Sequence, residues 1–105
     1  MKQLSARASA EEAVNANREK QEFILHARSL RRLGEWAASE MMGKNDDIVT
    51  HYAETLVKAQ LTGIDPVPNV AKDLRSAGFD VTDTSVGYRF DRYLNEARKK
   101  EKQER

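Results

Sequence analysis

The residues best suited to acid–base or metal chemistry are two histidines, His26 and His51. They fall on separate helical segments, without a His-x-x-x-His pair, and no carboxylates are spaced to complete a ligand set around either. Both read as partly exposed helix residues. The chain has no Cys, hence no disulfide framework and no thiolate ligand or nucleophile. A Gly-x-Ser-x-Gly nucleophile elbow is absent. The five glycines stand singly at 34, 43, 63, 78 and 87, so no Gly-rich loop cradles a phosphate. Asp80, Asp83 and Ser85 carry oxygens in the manner of a calcium loop, but the central Gly and terminal Glu are missing and helix capping explains them better. The pattern points away from an enzyme.

What remains is charge and apolar patterning. Lys and Arg number 18 against 17 Asp and Glu, a balance that disfavours nucleic acid, whose ligands concentrate positive charge. Arg28, Arg31, Arg32 and Lys58 form a basic group that reads as a solvated face paired with Glu35 and Glu54. No apolar run approaches the roughly 18 residues of a membrane span. Residues Met1 to Arg7 lack the hydrophobic region of a secretory signal. The absence of Cys suits a reducing compartment.

The elements that position these groups follow from periodicity. Phe23, Ala27, Leu30, Leu33, Ala37 and Met41 recur at steps of three or four, one face of a helix, which Ile24, Leu25, Trp36 and Met42 widen. Gly43 stands where a left-handed cap is wanted. Gly34, in mid-helix, costs about 1 kcal/mol against Ala, and a helix accepts that where another backbone must come close. Ser9 and Glu12 match a capping box, so the helix is expected from Ala10 to Met42, about 50 Å long. Its first half, residues 10–22, offers only Val14 and the alanines 10, 13 and 16 as apolar groups. That half is expected to project as a marginal helix, behind a disordered stretch 1–8.

Three further helices are expected. Ile48, Tyr52, Leu56 and Ala59 give the second, to about Gln60. Asp65-Pro66 opens the third, with Val67, Val70, Leu74 and Ala77 on one face and Gly78 as its end. Thr82 caps the fourth, where Val81 and Val86 form a hydrophobic staple and Phe90, Tyr93, Leu94 and Ala97 continue the stripe. The fold class is all-α: a four-helix bundle over residues 23–97, with a projecting, partly disordered N-terminal helical segment (1–22) and a charged C-terminal tail (98–105) that frays. The expected core is Phe23, Leu30, Leu33, Trp36, Tyr52, Leu56, Leu74, Phe90 and Leu94.

The order Ala27-Arg28-x4-Leu33-Gly34-x-Trp36-Ala37-Ala38, then Tyr52-Ala53, Val57-Lys58-Ala59 and Asp73-Leu74-x-x-Ala77-Gly78-x-Asp80-Val81-x-Asp83, resembles the zeta family, the small inhibitor subunit of certain bacterial F-type ATP synthases. The resemblance covers residues 23–95. It implies a non-enzymatic four-helix protein, monomeric when free, whose N-terminal segment lodges in the catalytic head at an α/β interface beside the rotating central stalk. There it blocks ATP hydrolysis and tolerates rotation in the synthesis direction. It implies a cytoplasmic location, peripheral to the inner membrane through the synthase and without membrane insertion. Adenine nucleotide (ATP or ADP) binding on the bundle is implied as well, with no cofactor required and no residue assigned. The partner-binding residues would be Arg7, Glu11, Glu12, Val14, Arg18, Glu19 and Lys20. Family inhibitory segments carry aromatics on the helix face; here Glu11 and Asn15 occupy those places, so weak inhibition is expected. The competing reading keeps the fold as a nucleotide-responsive or orphan interaction domain with no ATPase inhibition.

Overall fold

The computed structural model describes the backbone of residues 2–103 and the side chains of residues 18–102. Four helices follow one another, α1 (Lys2–Met42), α2 (Asp46–Leu61), α3 (Val67–Ser76) and α4 (Asp83–Gln103), and no described residue lies in a strand. The 41 residues of α1 make a rod of about 60 Å at 1.5 Å per residue. That rod sets the 63 Å length of the molecule, whose other dimensions are 29 and 27 Å. Helices α2, α3 and α4 all lie against α1, and α3 also lies against α4.

Both ends of this set run further than expected. Helix α1 starts at Lys2, so Ser9 and Glu12 lie inside it instead of opening it at Ala10. The residues before Ser9 are mostly good helix formers, and extending an existing helix is far easier than nucleating one. Helix α4 continues to Gln103 and does not fray after Ala97. Arg98 carries the inner stripe of α4 one step further, and its guanidinium donates to Glu22 on α1 at 2.9 Å.

The connections are closed by local hydrogen bonds. Gly43 takes φ +78°, the left-handed conformation that ends α1. The Asn45 side chain accepts from the Ile48 N–H at 3.3 Å and caps α2. Asp65 accepts from the Val67 N–H at 3.1 Å ahead of α3. At the start of α4 the Ser85 N–H donates to the Thr82 hydroxyl and the Thr82 N–H to the Ser85 hydroxyl, each at 3.0 Å, a reciprocal box built on Ser rather than Glu. Val81 packs beside it against the cluster that contains Val86.

The core joins Leu30, Leu33 and Ala37 of α1 to Leu56 of α2, Val70, Ala71 and Leu74 of α3, and Val86 and Tyr93 of α4. Leu94 is buried too. Trp36, Tyr52 and Phe90, expected in the core, are half-buried at its edge. Phe23 is a correction: it is 42% exposed. The α2–α3 connection reaches α1 at His26 and Leu30, so Phe23 lies a turn before the point where a third layer covers the helix.

Small residues let the helices approach. A Cβ built on Gly34 would stand 2.7 Å from the Ala53 Cα, 3.1 Å from its Cβ and 3.0 Å from Leu56 Cδ1. The close backbone expected at Gly34 is that of α2. Helices α2 and α3 are tied by a hydrogen bond from the Tyr52 hydroxyl to Asp73 Oδ2, 2.8 Å long. Burial, then that bond, push the Tyr52 phenol above its ordinary range.

Two expectations follow. Gly34→Ala gains helix propensity but drives a methyl into backbone that cannot step aside, so a net loss of about 1–3 kcal/mol is expected in urea denaturation; an unchanged or raised midpoint would mean that the helices cross elsewhere. The second concerns pH. The folded state holds the Tyr52 proton that the unfolded chain releases near pH 10, so its contribution is complete below that pH. Above it, stability falls as pH rises. Tyr52→Phe should remove this component of the alkaline loss when denaturation midpoints are compared from pH 9 to 11.

Candidate partner-binding helix and its seat

The candidate site is the N-terminal half of α1 and the junction that holds it. Arg7, Glu11, Glu12 and Val14 are on the helical backbone, and their side chains lie outside the described residues. Positions 7, 11, 14 and 18 follow one another at helical intervals, so Arg7, Glu11, Val14 and Arg18 share a line along α1. Arg18, Glu19 and Lys20 are exposed. One helix therefore brings all seven residues together on one rod, with no turn between them and the core.

The rod is seated from Gln21 onward, where α4 comes alongside. Glu22 accepts from Arg98 at 2.9 Å, and its other neighbour, His26, stands 3.9 Å away, an ion pair whenever that imidazole is protonated. The hydrogen bond from Arg98 holds the Glu22 carboxyl below the usual carboxylate range. The His26 ring rests against Phe90 at 5.8 Å between centroids, and Leu25 is buried next to them. An exposed ion pair contributes at most about 1 kcal/mol; Leu25 is the firmer anchor. Sequence reasoning missed this seat. The signal was present: Glu22 and Arg98 are opposite charges at the ends of two apolar stripes.

Further along the same seam, guanidinium groups lie on rings. Arg89 covers Trp36 at 3.9 Å and donates to the Tyr93 hydroxyl at 3.1 Å. Arg32 covers Tyr93 at 4.1 Å and pairs with Glu96, whose carboxyl is held below its usual range first by that hydrogen bond. Arg32 thus pairs across to α4 and not with Glu35, as the basic group had been read. Trp36 is tied to α4 by cation–π stacking, in addition to its burial.

The implied adenine nucleotide needs a flat apolar slot for its base and cations for its phosphates. A cleft of about 360 Å3 between His26, Leu30, Ile64, Val67 and Phe90 has apolar walls, but its carboxylate, Asp65, repels phosphate. The cations Arg28, Arg32 and Lys100 line a different hollow, where the one ring, Tyr93, is 6% exposed and lies under Arg32. In neither of these two hollows does an apolar slot for a base adjoin the cations that would hold its phosphates. Nor do three or more His, Cys, Asp or Glu side chains come together as a metal site among those residues.

A family model described as ATPase inhibitor subunit zeta matches residues 1–100. The chain belongs to this family. No curated protein and no solved structure matches it. The zeta-family description is that of an inhibitor subunit, a regulator of an ATPase and not itself the catalyst, and it implies an ATPase as partner. The match takes in the projecting half of α1 as well as the bundle. Among the described residues no helix is long and apolar enough to cross a membrane.

The seat defines how much of the zeta-family chain is dispensable for folding. A chain lacking residues 1–20 keeps Glu22, Leu25 and His26, so its thermal midpoint should stay within a few degrees of the full chain. A chain lacking residues 1–26 loses buried Leu25, worth about 2–5 kcal/mol, and should melt more than about 8 °C lower. Equal melting of the two shortened forms in circular dichroism would show that the seat lies elsewhere.

Proposed function

We propose that this chain binds the catalytic head of an F-type ATP synthase and restrains ATP hydrolysis with the first half of α1, while the bundle stays outside as a stop. The observation that carries the reading is the continuity of α1: the helix that forms the core also extends about 28 Å, over residues 2–20, ahead of its seat against α4. A single helix is about 10–12 Å across, whereas the molecule is 29 by 27 Å in section. A slot between subunits that accepts the helix excludes the bundle, so insertion halts at the seat. Steric blockade of this kind needs no catalytic residue. It needs a rod, a stop and enough contact to stay in place.

The contact is modest. Leu4, Val14 and the alanines at 6, 8, 10, 13 and 16 are the apolar material of the segment, and charged residues such as Arg7, Glu11, Glu12, Arg18, Glu19 and Lys20 supply much of the rest. Interfaces draw most of their energy from a few buried large side chains, and each absent anchor worth about 1.4 kcal/mol lowers affinity tenfold. Weak, partial inhibition follows, at an α/β interface beside the central stalk.

ATP hydrolysis by the isolated head, titrated with the full chain and with the chain lacking residues 1–20, tests the reading. The full chain should bind and lower the rate in part; the shortened chain should do neither. Potent inhibition by the shortened chain would move the blocking element into the bundle. Binding by neither would make this an interaction domain for some other protein.

A further inference from the structure

Helices α1 and α4 pack against each other. Two adjoining hollows of about 410 and 250 Å3 run along one side of that pair, from Gln21 to Arg32 on α1 and from Tyr93 to Glu101 on α4. Eleven steps of helix make this trough about 16 Å long, or three turns. It exists because the facing residues are small. Ser29 is 2% exposed with its hydroxyl turned back to the Leu25 carbonyl at 2.8 Å, and Ala97 stands opposite. The floor is apolar: Ala97, Leu25 and Ile24, the last 39% exposed.

The edges are cationic. Arg28 stands on one wall and Lys100 on the other, and each lines both hollows. Of the two carboxylates, Glu96 is taken up by Arg32, with Arg92 and Lys99 adding positive potential around it; Glu101 closes the far end. Two parallel ridges with an open groove between them form the seat into which a third helix packs in any helical bundle. An apolar floor with basic walls selects an occupant with an apolar stripe flanked by acids.

We infer that the α1–α4 groove is a docking site for an acidic amphipathic helix of a partner protein, about three turns long, gripped by Arg28 and Lys100 over the floor of Ile24, Leu25 and Ala97. This surface lies on the bundle and does not rest on the role proposed for residues 2–20.

The test uses two 15-residue helical peptides that share a Leu/Ala stripe, one flanked by Glu and the other by Lys, titrated into the full-length, isotope-labelled chain. The Glu peptide should shift amide resonances of residues 21–32 and 93–101, and its affinity should fall as salt rises from 50 to 300 mM. The double variant Arg28→Glu with Lys100→Glu, both substitutions on exposed side chains, should weaken the Glu peptide at least tenfold and bind the Lys peptide instead. Ala97→Leu, which fills the trough, should abolish binding of the Glu peptide with the helical signal retained. No shift at millimolar peptide, shifts mapping elsewhere or equal binding of both peptides would overturn the proposal. Equal binding of a 12-base-pair DNA duplex would also overturn it, since that is the behaviour of an unspecific cationic face.

Discussion

The structure depends on one close approach. At Gly34 the backbone of α1 comes so near that of α2 that a methyl group would stand 2.7 Å from the Ala53 Cα. Ala37, Ala38, Ala53 and Ala71 are all essentially buried, so the helices meet through small residues. Larger side chains, Leu33, Leu56 and Leu74, fill the space around those contacts. Packing of this kind is intolerant: separation of the backbones by a methyl's width would leave every neighbouring leucine with a gap it cannot close. A core this small has few other contacts in reserve. The cost of a helical glycine, about 1 kcal/mol, is small beside what the approach makes possible.

The opposite side of α1 is held by different means. Against α4 the contacts are Trp36 under Arg89, Tyr93 under Arg32, and the ion pairs Arg32–Glu96 and Glu22–Arg98. Long cationic side chains bury their stems and keep their heads in water, so they can bridge a spacing that small apolar residues leave open. The seam is consequently broad where the α2 contact is tight. A trough remains along it, because Ser29 and Ala97 do not fill what Arg28 and Lys100 flank. The same choice of residues gives a well-anchored helix and an unfilled groove.

Much of this was legible in the sequence. Four helices, the cap at Gly43, the close approach at Gly34 and the capping role of Thr82 all follow from local chemistry: a period, a positive φ, a missing Cβ, a hydroxyl three residues ahead of a free amide. What escaped was whatever depended on where a neighbour stops. Phe23 continues the apolar stripe faultlessly, yet it is exposed because the α2–α3 connection reaches only His26. Arg98 looks like the first residue of a charged tail, yet it turns toward α1 because Glu22 lies within its reach. Trp36 reads as core by type and is half-buried because an arginine covers its outer face. The length of α1 escaped for a related reason: a capping box at Ser9 is a local preference, and a helix already nucleated downstream overrides it. The partner-binding residues followed from resemblance alone, since no local rule separates a groove-binding polar helix from a solvated one.

The bundle nevertheless changes the physics of that segment. Polar stretches of about twenty residues are marginal helices in isolation, limited by nucleation. Residues 2–20 need no nucleus of their own, because the ordered turns at Leu25, Ser29 and Leu30 already supply one. Fixing the backbone of a residue costs about 1–2 kcal/mol, so a segment that meets its partner already helical spares binding much of that cost. Such preorganisation compensates for sparse apolar contact: fewer anchors are needed if less ordering remains to be done. It also makes the segment and the bundle one mechanical body. On the proposed function, such a regulator would be weakly held and still stiff, its contacts drawn from residues 2–20 and its stiffness from the backbone they share with the core.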